Sequence, residues 1–193
     1  MNGTWKAGFV VETHGAEETE ALGRCCGALR PWGFVLALRG DLGAGKTVFV
    51  RGLAAGLLEG DEIEVTSPTY VLQHVYRGQE ATLYHIDAYR MSGGAEEFEG
   101  AGLRDCLNDR RGVVCLEWPE RVEEVLPADR LEVELEHAGG DTRTVHVLAT
   151  GVLSGALADA LAQRVGSRFK LENFLGRPGP AVPPAEAAPP SLS

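Results

Sequence analysis

The chain has 193 residues, 44% of them hydrophobic, and this length and composition are typical of one globular domain. Its formal net charge is −10 at pH 7. This acidic balance argues against strong direct binding to nucleic acid, because a phosphate backbone would be repelled. No apolar run approaches the roughly 18 residues that a membrane-spanning helix needs, and no secretory signal pattern is visible at the N-terminus. We therefore expect a cytoplasmic protein that does not bind membranes and whose four cysteines stay reduced.

The first half of the chain predicts alternating strands and helices. A strand over residues 6–12 leads through a turn at residues 13–16 into a helix that ends before Pro31. The apolar run at residues 33–39 is typical of a strand that is buried on both faces. A glycine-rich turn follows, and then a helix over residues 47–58.

The second half predicts further strands, a broken helix, an antiparallel hairpin and a last helix. In chain order these are strands at 69–76 and 82–87, a helix at 95–108 interrupted at Gly100 and Gly102, a strand at 113–117, a short helix at 119–125, hairpin strands at 131–136 and 144–148, and a helix at 153–165. This order predicts an α/β fold of the P-loop NTPase type, with a largely parallel central sheet flanked by helices and an antiparallel hairpin near one edge.

Three segments are expected along the chain. Residues 1–150 are predicted to form the P-loop domain, and residues 151–175 a C-terminal helical extension. Residues 176–193 are rich in proline and alanine and are expected to be disordered, since they have too little apolar surface to offset the entropy of ordering.

A phosphate-binding sequence follows the buried strand. Residues 40–47 read G-D-L-G-A-G-K-T and match G-x-x-x-x-G-K-[ST] in full. Glycines let the backbone curl so that successive N–H groups converge on phosphate oxygens, and the next helix directs its positive end to the same point. Lys46 is predicted to neutralise the β- and γ-phosphates, and Thr47 to offer its hydroxyl to Mg²⁺.

Two later strands each end in a carboxylate, namely Asp87 and Glu117. In an open α/β sheet both would lie at the carboxyl edge, where either could hold Mg²⁺ or position water. Trp118 either lines the nucleotide pocket or belongs to the core. His85 shares a sheet face with Asp87, and a lone histidine on a strand is more often structural.

A polar segment between the phosphate-loop helix and the next strands contains Ser67 and Thr69 around Pro68. Hydroxyls in this region sense the γ-phosphate in nucleotide switches, although the segment alone is also typical of an ordinary proline turn. The sequence has no N-K-x-D guanine-reading motif, which argues against a GTPase.

Five motifs together resemble the TsaE (YjeE) family, the ATPase component of the bacterial machinery that forms threonylcarbamoyladenosine at position 37 of tRNAs reading codons that start with A. The resemblance runs from about residue 13 to residue 148. The motifs read GDLGAGKTVFVRG, TSPTY, HIDAYR, the pair Glu96 and Glu97 followed by Gly102, and LEWP. Tyr70 and Ala88 differ from the commoner Phe and Leu of the family.

The resemblance implies site residues. It implies nucleotide contacts at Leu42, Gly43, Ala44, Gly45, Lys46, Thr47 and Trp118, with adenine contacts loosely near Ala16. It implies Mg²⁺ on Thr47 and Glu117, a catalytic set of Asp87, Glu117 and Lys46, and a switch-like loop carrying Ser67 and Thr69.

The resemblance also implies a function. The protein would be a weak ATPase with ATP and Mg²⁺ as cofactors, would act with TsaD and TsaB, and would meet tRNA only indirectly through that complex. Two alternatives stay open from the residues. One is a P-loop kinase for a small molecule, and the other is a nucleotide-gated binding module whose hydrolysis is incidental.

Overall fold

The computed structural model of the protein describes residues 7–58 and 64–174. The strands within these residues are β1 Ala7–Thr13, β2 Val35–Arg39, β3 Gln73–Arg77, β4 Thr82–Asp87, β5 Gly112–Glu117, β6 Leu131–Gly139, β7 Thr142–Ala149 and β8 Leu171–Phe174. The α-helices are α1 Ala16–Gly27, α2 Lys46–Leu57, α3 Gly94–Gly100 and α4 Val152–Val165, with 3₁₀ turns at Leu103–Asn108, Pro119–Arg121 and Glu123–Val125.

The described strands form one sheet in the order β3-β4-β5-β2-β6-β7-β1-β8. The central strands β4, β5, β2 and β6 are parallel to one another, and the remaining pairs are antiparallel. The predicted α/β class with a largely parallel centre is therefore confirmed. Since β2, β4 and β5 run in the same direction, their carboxyl ends meet at one edge of the sheet.

Several elements differ from the sequence prediction. The β6–β7 hairpin forms as expected, but β1 and β8 extend the sheet beyond it, so the hairpin is not at the edge. The segment expected to be a helical extension is helical only to Val165, and its later part contributes β8. The proposed tail at 176–193 lies outside the described residues.

The segment before β3 is a turn rather than the predicted start of a strand. The backbone N–H groups of Val71 and Leu72 both donate to the carbonyl of Pro68, and Leu72 has a φ of 66°. These contacts hold the chain in a tight turn, so the extended backbone begins only at Gln73. The short helix predicted at 119–125 forms two 3₁₀ turns instead.

Two cores lie on opposite faces of the sheet. Leu36 and Leu38 of β2 contribute to the core under α1, α2 and α4, whereas Val35 and Ala37 contribute to the core under α3 and the 3₁₀ turns. This alternation explains the continuous apolar run of β2. In the described part of the chain no helix is long and apolar enough to cross a bilayer.

Helices α1 and α2 are held close by glycines spaced four residues apart on each helix. A Cβ atom on Gly23 or Gly27 of α1 would lie 2.1 or 2.2 Å from a carbonyl oxygen of α2, and one on Gly52 or Gly56 of α2 would lie 1.8 or 2.2 Å from a carbonyl oxygen of α1. Real Cβ atoms do not approach this closely, so only glycine permits the contact. The contact brings the start of α1 beside the phosphate loop, where a Cβ on Gly45 would lie 3.7 Å from Thr19 Cγ2.

Candidate functional site

The loop between β2 and α2 has the backbone that its glycines predict. Gly40, Gly43 and Gly45 have φ values of 131°, 81° and 108°. A Cβ atom on Gly40 would also lie only 2.4 Å from the carbonyl oxygen of Leu135, so this position requires glycine for space as well as for φ. The strand, the glycine turn and the N-terminus of α2 therefore have the backbone conformation of a phosphate-binding loop.

Lys46 is buried at the first position of α2. Its Nζ donates to the carbonyl oxygens of Gly40 and Asp41 at 2.6 and 2.9 Å, and lies 4.3 Å from the centroid of the Trp118 ring. Burial lowers the pKa of Lys46, and nearby carboxylates, chiefly that of Glu117, oppose this shift. The ammonium group is thus poorly hydrated and close to the converging loop, where an anionic ligand would compensate its burial.

Thr47 and Glu117 are in direct contact. Thr47 Oγ1 donates to Oε1 of Glu117 at 3.0 Å, and the same oxygen lies 2.8 Å from Nε2 of His85. Glu117 and His85 are both buried. The hydroxyl and the carboxylate are hard oxygen donors, and this pair fits Mg²⁺, which proteins bind through one or two carboxylates together with phosphate oxygens.

In the described residues there is no cluster of three or more His, Cys, Asp or Glu side chains that could hold a metal ion by itself. Any divalent ion at Thr47 and Glu117 would therefore complete its coordination with oxygens from a ligand or solvent.

Asp87 anchors the segment predicted to be switch-like. Its Oδ2 accepts hydrogen bonds from Ser67 Oγ at 3.1 Å and from Thr69 Oγ1 at 2.6 Å, while its Oδ1 accepts one from the backbone N–H of Tyr89 at 2.9 Å. Asp87 and Glu117 also face each other in the β4–β5 register. The two carboxylates thus lie side by side, and one of them is tied to the loop that carries Ser67 and Thr69.

Trp118 follows β5 with a left-handed backbone, at a φ of 60°. Its backbone N–H donates to the carbonyl of Leu38, and its ring lies 5.0 Å from that of Tyr89. A left-handed conformation at a tryptophan is strained, and such strain concentrates at functional sites. The turn directs the indole over Lys46, and the same partly buried side chain packs against the core on that face of the sheet.

The structure brings most of the predicted residues together at one edge of the sheet. Lys46, Thr47, Asp87, Glu117 and Trp118 form one contiguous group, and the loop with Ser67 and Thr69 joins it. Two predicted residues lie at its margin: Ala16 is exposed at the start of α1, and Leu42 is 80% exposed on the phosphate loop. Their predicted nucleotide contacts remain predictions.

Sequence reasoning missed one residue of this region, Arg143 of β7. Its Nε donates to the carbonyl of Ala44 at 3.1 Å, and its Nη1 donates to the carbonyls of Gly140 and Thr142. The guanidinium therefore joins the outside of the phosphate loop to the β6–β7 turn. A single basic residue on an alternating strand carries no local signal of this contact.

Comparison with known proteins assigns the chain to a family. The family model described as "Threonylcarbamoyl adenosine biosynthesis protein TsaE" matches residues 13–145, which are more than two thirds of the chain. The chain belongs to the TsaE family. The resemblance found in the sequence motifs is thereby confirmed, and every site residue described above lies inside the matched region.

Individual TsaE relatives agree with this assignment. A protein named tRNA threonylcarbamoyladenosine biosynthesis protein TsaE from Bacillus subtilis is 39% identical over 147 residues, which cover 76% of this chain and 89% of the relative. A protein of the same name from Streptomyces coelicolor is 43% identical over 135 residues, which cover 68% and 88%. The crystal structure of Bacillus subtilis YdiB is similar with a TM-score of 0.64 and 34% identity, covering 81% of this chain and 96% of that chain.

Proposed function

We propose that this protein binds ATP and Mg²⁺ at the phosphate loop and hydrolyses the nucleotide in support of threonylcarbamoyladenosine formation. The modified base would be adenosine 37 of tRNAs that read ANN codons. The observation that carries the proposal is the convergence of Lys46 and Thr47 with two strand-end carboxylates, Asp87 and Glu117. Membership of the TsaE family supplies the biological context.

Several groups of the chain support the binding of a triphosphate. The curled loop and the N-terminus of α2 would present N–H groups to phosphate oxygens, and Lys46 would add a poorly hydrated positive charge. Mg²⁺, when bound by Thr47 and Glu117, would neutralise charge that develops on the β- and γ-phosphate oxygens. Trp118, which lies over Lys46, would cover this part of the pocket.

Asp87 is the residue proposed to orient the attacking water. Its carboxylate lies beside Glu117 but already accepts three hydrogen bonds, from Ser67, Thr69 and the backbone of Tyr89. These three hydrogen bonds fix the orientation of the carboxylate. They also leave fewer of its lone pairs free to accept a hydrogen bond from water and polarise it. This arrangement supports weak hydrolysis by the protein alone, with faster turnover once a partner repositions the Ser67–Thr69 loop.

The proposed partners are TsaD and TsaB, with tRNA contacted only through their complex. The net charge of −10 supports the indirect contact, because an acidic chain gains little from a phosphate backbone.

The proposal is tested by ATP turnover of the purified protein with and without TsaB and TsaD. Turnover should rise on addition of the partners, and inorganic phosphate should account for all ATP consumed. Lys46→Ala should abolish nucleotide binding, whereas Asp87→Ala should retain binding and lose turnover. No stimulation together with no binding to TsaB and TsaD would refute the proposed function.

A cellular measurement distinguishes whether tRNA modification requires ATP hydrolysis or only ATP binding. Cells depleted of the protein should lose threonylcarbamoyladenosine from their tRNA, and wild-type protein should restore it. If Asp87→Ala binds ATP without hydrolysing it yet restores the modification, the protein acts as a nucleotide-gated module instead of an ATPase.

A further inference from the structure

His85 is a buried imidazole in the middle of β4 that contacts Glu117. Its side chain is 0% exposed, and its Nε2 lies 2.8 Å from Oε1 of Glu117. Its Nδ1 has no hydrogen-bond partner in the part of the chain that the structure describes. A buried polar atom without a partner is uncommon and calls for a physical reason.

Two groups meet one oxygen of Glu117. An ionised Glu117 only accepts, and its Oε1 receives the hydroxyl of Thr47 as well as the approach of His85 Nε2. Nε2 is then the donor in this contact, and Nδ1 takes no part in it.

We propose that His85 is a positioning residue, whose Nε2 contact fixes the carboxylate of Glu117 for the metal-dependent step. This inference rests on the proposed function. Two donors on Oε1, from Thr47 and His85, set the rotation of the carboxylate. Oε2 of Glu117 accepts no hydrogen bond from the described residues, so it is the oxygen left for an ion or its hydration shell.

The neighbouring groups are consistent with this single role. In the sheet register, His85 lies opposite His74 of β3 and Cys115 of β5. The ring of His74 contacts Tyr76 and the carbonyl of Thr66. Asp87, two residues along β4, uses its oxygens on other donors, so within the described residues Glu117 is the carboxylate that contacts His85.

The nitrogen that donates in this contact can be identified without any enzymatic assay. In long-range ¹H–¹⁵N NMR spectra of the full chain, the two ring nitrogens of a neutral histidine have distinct shifts that identify which one carries the proton. The chain has five histidines, and loss of one signal set in His85→Gln assigns the relevant ring. We expect a proton on Nε2 of His85, because this nitrogen donates to Glu117 in the proposed role. A proton on Nδ1 alone would overturn the proposal.

Two substitutions test the consequence for the metal. His85→Gln can place an amide N–H near the position of Nε2, whereas His85→Leu has similar size and no donor. Nucleotide affinity is measured with fluorescent ATP in EDTA and across a Mg²⁺ titration. We expect similar affinity in EDTA for all three proteins. The Mg²⁺ concentration for half-maximal tightening should rise about tenfold in His85→Leu and stay near wild type in His85→Gln, as for other residues that orient metal ligands.

The outcomes distinguish this inference from the function on which it rests. If wild-type protein does not bind ATP at all, the proposed function fails. If wild type binds MgATP but His85→Leu has the same Mg²⁺ midpoint, only the role of His85 fails. Equal impairment of both variants, with equal loss of thermal stability, would likewise overturn it, because a residue that only fills space is not rescued by a donor.

Discussion

Thr47 Oγ1 donates to Oε1 of Glu117 across 3.0 Å, although the two residues are 70 positions apart in the chain. The contact exists because β2 and β5 are adjacent parallel strands, with Leu38 paired to Glu117. The first turn of α2, which starts just beyond β2, is thereby placed over the end of β5. The pairing of β2 with β5 thus brings the hydroxyl of Thr47 to the carboxylate of Glu117 beside the phosphate loop.

Replacing Glu117 with glutamine should separate ATP binding from ATP turnover. Glutamine keeps an oxygen for Thr47 but removes the charge that would attract Mg²⁺. We expect ATP affinity in EDTA within about threefold of wild type and turnover reduced by about 100-fold, the scale for losing one charge-stabilising group in an active site. Equilibrium binding and phosphate release measure the two effects.

Glu120→Gln is the matched control for this change. Glu120 also acts electrostatically on Lys46, but it is more exposed than Glu117 and pairs with Arg39 rather than with Thr47. Its turnover should stay near wild type. Equal losses in both variants would mean that general negative charge, and not the contact with Thr47, supports turnover.

Arg143→Met should weaken ATP binding without unfolding the protein. The substitution removes the donor to the carbonyl of Ala44 and leaves the phosphate loop less constrained. A hydrogen bond from a charged donor contributes roughly 1.5–3 kcal/mol, and partial exposure reduces this to about 1 kcal/mol, or about fivefold in affinity. Isothermal titration calorimetry measures this change in ATP affinity. Arg104→Met, which loses an exposed pair with Glu99, should bind ATP normally.

The sequence predicted the parts of this site that local patterns encode. The phosphate loop is a contiguous motif, and Asp87 and Glu117 are recognisable because each terminates an apolar strand. The contacts of Arg143 and His85 could not be predicted in the same way. Arg143 reaches Ala44 across 99 positions, and His85 reaches Glu117 across 32, so each contact depends on which strands are neighbours.

Strand order was the least predictable feature of the fold. Parallel strands with intervening helices predict a central sheet, but nothing local indicates that β1 pairs with β7. The strand β8, which pairs with β1, has four residues, which are too few for an alternation strong enough to identify it. The turn before β3 was misassigned because Val71 favours strands, whereas hydrogen bonds to Pro68 determine the conformation.

Gly52→Ala should destabilise the protein by about 1–3 kcal/mol or more, the cost of overpacking a close contact. A methyl group at this position would lie 1.8 Å from the carbonyl oxygen of Glu20, which is backbone and cannot move alone. Helix α1 must shift away from α2, and the turn beside the phosphate loop must move with it. Urea denaturation measures the free energy of unfolding.

Gly155→Ala provides the opposite expectation within the same chain. Gly155 lies inside α4, and a Cβ atom there would have no neighbour within 4 Å. Alanine in a helix interior is more favourable than glycine by about 0.5–1 kcal/mol, so this variant should be slightly more stable. If Gly52→Ala were equally well tolerated, the close packing of α1 on α2 would be contradicted.

The cysteines give a prediction about pH. All four are free thiols, as the sequence predicted, and Cys25 is the one that is not fully buried. Burial raises the pKa of Cys26 and of Cys106 to about 12, and raises that of Cys115 well above its usual value. Since the thiolate is the reactive form, iodoacetamide at pH 8 should modify native protein at Cys25 and should modify all four thiols only after unfolding.

The same raised pKa values predict a loss of stability in alkali. A thiol whose pKa is higher in the folded protein than in the unfolded chain stabilises the fold fully below the unfolded value of about 8.5, and this contribution is lost as the pH rises toward 12. The melting temperature should therefore fall between about pH 9 and pH 12, and Cys26→Ala should fall less steeply. Thermal melts across this pH range measure the fall in melting temperature.

Mass spectrometry of iodoacetamide-treated protein measures which thiols react. Rapid labelling of Cys26 in the native protein at pH 8 would contradict the burial of this thiol in the core under α1.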